Sequence, residues 1–138
     1  MIRSIVVVSG LALVLGGSAL AAQPRLEVKL QPQHGSQIGG TATIVHESPP
    51  SVTVTIVLDG VFVPENRYPA GVYAGTCAKL GAKPAYRLRP VVSGRSTTRL
   101  QVKPPASPAY AIAVFRTDGS QTMSCGQLPA MRHSSHRS

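Results

Sequence analysis

The chain has no tryptophan, and only four tyrosines and two phenylalanines among its 138 residues. A core built on large rings is excluded, and a surface that interleaves cations with stacking aromatics is not visible, so no nucleic-acid partner is expected. Acid is also scarce. The five carboxylates, Glu27, Glu47, Asp59, Glu65 and Asp118, are scattered singly, and Asp59 and Asp118 each precede a glycine as turn residues do. No carboxylates pair for acid–base hydrolysis, no Gly-x-Ser-x-Gly elbow is present, and no glycine-rich phosphate loop opens a helix. No segment carries a helical apolar period, and there is no internal repeat. With charged residues at 14%, 12 prolines and 13 glycines, the composition opposes a helical bundle. The sequence therefore points to no enzyme.

What is present begins with a leader. Arg3 supplies a positive start, residues 5–15 are a short apolar run, and Ala19-Leu20-Ala21 fits a small-x-small cleavage pattern. Residues 1–21 are read as a secretory signal peptide. The alternative, a membrane anchor, needs roughly 20 apolar residues and a following basic cluster, and neither is there. The expected destination is the periplasm or the exterior, with no transmembrane anchor after cleavage. An oxidising compartment favours pairing the two cysteines, Cys77 and Cys125, over leaving them as two buried thiols.

Residues 22–128 read as one β domain. Leu26, Val28 and Leu30 alternate with Glu27 and Lys29, the period of a half-buried strand. Gly39-Gly40 is read as a break before a strand at 41–47. Residues 51–58 form the clearest strand, with Val52, Val54, Ile56 and Leu58 on one face. Asp59-Gly60 then suggests a hairpin into 61–63, and 64–75 is expected to be irregular. Further short strands are expected at 85–89, 97–102, 110–116 and 121–125, each bounded by Pro or Gly. Short strands at this spacing favour a sandwich or barrel over a sheet with crossover helices. Residues 129–138 have no apolar period and are expected to be a disordered basic tail.

The second half carries Gly75-Thr76-Cys77, Tyr86-Arg87-Leu88, Gly94 with Ser96-Thr97-Thr98, residues 110–114 (YAIAV), and Ser124-Cys125-Gly126. In order and spacing this resembles small exported bacterial domains of the chordin type and, more distantly, copper–zinc superoxide dismutases. The resemblance covers about residues 40–128. It implies an all-β, Greek-key β-sandwich of about eight strands, stapled by a disulfide from a loop to the last strand. The same resemblance marks departures. Gly71-Val72-Tyr73 stands where the relatives have His-x-His, and Phe115 where a later metal-binding His belongs. Thr122 replaces the arginine before the last Cys-Gly, and the stretch after Cys77 is too short for a zinc loop. Gly71, Tyr73 and Phe115 are thus vestigial metal positions, and no metal or other cofactor is expected, because a copper site needs converging imidazoles.

The four histidines are His34, His46, His133 and His136. They leave open an alternative, a copper-handling protein using non-family ligands, in which Tyr73 would also be a candidate. Met123 fits core filling better than a thioether site. The most informative surface signal is charge: formally +9, with Lys79, Lys83, Arg87, Arg89, Arg95 and Arg99 close in sequence. Arg87 and Arg89 share strand parity, so both leave one face. Two adjacent strands bearing these arginines would make a basic patch suited to an acidic glycan, a lipid head group or an acidic protein. The expectation is an exported, non-enzymatic binding or structural module.

Overall fold

The computed structural model describes residues 25–48, 51–102 and 109–129. The expected signal peptide and the expected basic tail apart from Pro129, with His133 and His136, lie outside these. Eight strands are described: β1 (Arg25–Pro32), β2 (Gly39–His46), β3 (Ser51–Asp59), β4 (Arg67–Thr76), β5 (Lys79–Val92), β6 (Arg95–Gln101), β7 (Tyr110–Phe115) and β8 (Thr122–Gln127). All pairs are antiparallel, and the order β1-β2-β3-β6-β5-β4-β7-β8 closes into a barrel.

Alternation builds the wall. Val28 and Leu30 of β1, Ala42 and Ile44 of β2, and Val52, Val54, Ile56 and Leu58 of β3 point inward. Threonines at 41, 43, 53, 55 and 97 take the outer side of β2, β3 and β6, where branched residues suit a pleated, half-exposed surface. Two joints are narrow. β1 meets β8 only at Gln31↔Cys125 and Pro32↔Ser124, and β5 meets β6 at Val92↔Arg95. Beyond that pair, side chains replace the ladder: Thr98 Oγ1 accepts from the Arg89 amide at 2.8 Å, and the Ser96 hydroxyl donates to the Arg89 carbonyl. The joints divide the wall into two groups of four, β1-β2-β3-β6 and β5-β4-β7-β8.

Three expectations are corrected. Asp59-Gly60 does not make a hairpin. β3 pairs with β2 and β6, and 60–66 carries the chain across the barrel end to β4. Val61 is 95% exposed there, while the Phe62 ring seats on Gly94. Second, residues 67–76 are a strand. Pro69 sits at a register shift between Tyr68 and Ala70, opposite Leu88–Val91, where no ladder amide is needed, so a proline is tolerated. The same shift absorbs Pro90 and lets β5 run far longer than 85–89. Third, Gly39-Gly40 lies inside β2. A Cβ on Gly40 would fall 2.2 Å from the Val57 carbonyl oxygen, so glycine there serves close backbone approach rather than a break.

That crossover end is tied down. The Tyr68 hydroxyl accepts from the Val63 amide at 3.0 Å, a tyrosine corner that fixes the entry to β4. Ser93 and Gly94 both have positive φ, the pattern of a type I′ turn joining β5 to β6. The Ser93 amide donates to the Pro64 carbonyl at 3.2 Å.

Candidate functional site

The β4–β5 hairpin curls over the outside of β7 and β8. Gly75 has φ +106, and the register shifts between Val72 and Gly75, which together bend the hairpin. Cys77 at its tip is joined to Cys125 of β8, with the Cα atoms 5.8 Å apart. Gln127 adds a second latch. Its amide nitrogen donates to the Gly75 carbonyl at 3.2 Å and the Tyr110 carbonyl at 2.9 Å, and its oxygen accepts from the Cys77 amide at 3.1 Å. This latch has no sequence signature, because it joins Gln127 to two segments far from it in the chain, Gly75–Cys77 and Tyr110.

Gly71, Tyr73 and Phe115, the positions at which the resemblance would place metal ligands, come together where β4 pairs with β7. One row crosses all four strands as Arg87–Gly71–Ala113–Cys125, and the next contains Tyr73–Ala111–Gln127. Tyr73 and Phe115 pack with centroids 5.4 Å apart and planes tilted by 58°, within the range of favourable aromatic contacts. The Tyr73 ring lies over Gly71, where a Cβ would come within 3.0 Å of Cε2. Ala111, Ala113 and the disulfide complete an apolar cluster. Burial raises the Tyr73 phenol above its ordinary value of 10.0, and the neighbouring Arg87 charge pulls the other way.

The histidines are not brought together. His34, in the β1–β2 loop, donates from Nδ1 to the Thr122 carbonyl at 3.0 Å, a partner that can only accept. His46 ends β2 at the opposite end of the barrel. Among the described residues, no group of three His, Cys, Asp or Glu is placed to hold a metal ion. Met123 is buried in the core.

His46 instead stands at the rim of an apolar opening of about 150 Å³, lined by Leu26, Val54, Val72, Tyr86, Leu100 and Tyr110 among others. A second, shallow groove on the outer face of β1 and β2 mixes Glu27 and Asp59 with Lys29.

Cations occur in both groups of strands, with Arg25 and Lys29 on β1 and Arg95 and Arg99 on β6, but strand acids occur in only one. β4, β5, β7 and β8 carry Arg67, Lys79, Lys83, Arg87 and Arg89 and no acid. Glu27 and Asp59 are on β1 and β3, Glu47 follows β2, and the other two acids are in connections that border the basic group, Glu65 just before β4 and Asp118 in the β7–β8 turn. All six cations of the sequence patch are exposed. Arg95 and Arg99 continue it across the β5–β6 joint, although Arg99 pairs with Glu47 at 2.9 Å. Arg67 and the closeness of Tyr73 to Arg87 were missed in the sequence. The first sits in a stretch read as irregular, and the second depends on the long-range pair Gly71↔Arg87.

Compared with family models, curated proteins and solved structures, the chain matches none.

Proposed function

We propose that this chain is an exported, non-enzymatic module that binds an anionic partner through the outer side of β4 and β5, with Arg95 and Arg99 extending that side. The observation that carries the reading is the absence of any acid on β4, β5, β7 and β8 beside five exposed cations. Segregation of this kind creates a directional field, which net charge spread evenly does not. The reading also places the chain among Greek-key sandwich-like barrels of the chordin and superoxide dismutase type. Supporting this are the order β7-β4-β5-β6, in which β7 returns beside the first strand of a three-strand meander, and the staple from the β4–β5 hairpin to β8. In this reading the metal position is occupied by Tyr73 and Phe115, which supply at most one phenol oxygen in place of converging imidazoles. The copper-handling alternative draws no support from His34 and His46, which lie at opposite ends of the barrel.

Purified full-length protein, analysed for metals and then passed over an anionic matrix, tests this. The expected outcome is no stoichiometric copper or zinc, with retention that weakens as salt rises. One metal atom per chain, or retention indifferent to salt, would overturn it.

A further inference from the structure

The anionic-partner reading leaves the chemical class open, and the surroundings of Arg87 narrow it. Arg87 begins the row Arg87–Gly71–Ala113–Cys125, and its charge acts on the Tyr73 phenol. Beside it the Tyr73 and Phe115 rings, both half-buried, form a small aromatic platform over residues without bulk. Further cations on the same strands are Lys83, Arg89 and Arg67, and no acid on those strands opposes them.

An aromatic face beside a cation suits a ring that is apolar on its C–H side and anionic at its edge. An acidic sugar has both features: its axial hydrogens meet the negative face of an aromatic ring, and its carboxylate or sulfate meets a guanidinium. A membrane surface fits less well, because no apolar side chain protrudes from this platform. Among the described residues, the exposed large apolar side chains are Val57 on β3, Val61 and Val63 in the 60–66 connection, and Val92 at the end of β5 opposite Arg67, away from the Tyr73 row. We infer that the outer side of β4, β5 and β7 is a binding site for an acidic polysaccharide. Tyr73 and Phe115 carry the sugar ring, and Arg87, with Lys83 and Arg89 on the same strand and Arg67 farther along β4, pairs with its acid groups. This inference rests on the anionic-partner reading and deepens it.

Calorimetric titration of the disulfide-bonded protein tests the assignment, using oligogalacturonate as the uronate probe and dextran sulfate as the sulfate probe. Neutral dextran, single-stranded DNA and phosphatidylglycerol vesicles complete the set. The expected result is binding to one or both acidic glycans and none to neutral dextran. Arg87→Gln should weaken glycan binding about tenfold or more. Tyr73→Leu should weaken it about fivefold, and Tyr73→Phe should leave it unchanged, which separates the ring from the hydroxyl. The preferred acidic glycan identifies the acid group. If Arg87→Gln weakens binding while Tyr73→Leu has no effect, the sugar platform is overturned and the anionic reading survives. Tighter binding to vesicles or DNA than to both glycans also overturns the glycan assignment alone. Failure to bind any anionic probe overturns both.

Discussion

Gly94 shows how one residue fixes a turn. Its φ of +75 is unfavourable for any side chain, and an added Cβ would fall 2.4 Å from Phe62 Cζ. Gly94→Ala should cost about 2–4 kcal/mol, combining left-handed backbone strain with displacement of the ring. Urea denaturation measures this, and a loss below about 0.5 kcal/mol, the usual scale of surface substitutions, would contradict the packing of Phe62 on the turn. Tyr73 makes a second prediction at this scale. Burial favours its neutral phenol, so its folded pKa lies above its unfolded value. Its contribution to stability is therefore whole below pH 10.0 and is lost as pH rises through the folded value. In an alkaline titration followed by tyrosinate absorbance, Tyr73→Phe should remove a late-titrating component. An unchanged curve would mean that the ring is solvated.

Among the elements, the β4–β5 hairpin depends on two latches of different kinds. Replacing Cys77 and Cys125 together with alanine should cost about 4 kcal/mol in the chain-entropy picture of a loop this long. Gln127→Leu should cost about 1–3 kcal/mol, because it strands backbone groups that the amide satisfies. It should also speed hydrogen exchange at the Cys77 amide, and unaltered exchange there would remove Gln127 as a latch. The strands themselves were largely legible. Residues 26–30 and 51–58 alternate because one face of each meets the core, and that signal is local. The prolines misled, because Pro69 and Pro90 read as breakers when seen singly. A shared register shift accommodates both, and pairing between distant strands is not written in either segment. Asp59-Gly60 misled in the same way: the local turn signal is real, but β3 already has partners on both sides.

At the scale of the whole molecule, the strand order brings together four strands that carry no acid. The sequence showed the run of cations from Lys79 to Arg99, and parity put Arg87 and Arg89 on one face. It did not show that every acid lies off β4, β5, β7 and β8, because membership of that group follows from the strand order. Nor did it show the aromatic pair beside Arg87, which the folded hairpin assembles from β4, β5 and β7. The proposed anionic partner requires that where the cations lie, rather than how many there are, decides binding. The most direct measurement compares two variants that lose equal charge: Arg87→Gln with Arg89→Gln, and Arg25→Gln with Lys29→Gln on the mixed-charge face of β1. Both would be eluted from an anionic matrix by a salt gradient as the full-length, disulfide-bonded protein. The first variant should elute at clearly lower salt than the second. Equal displacement of the two would contradict it.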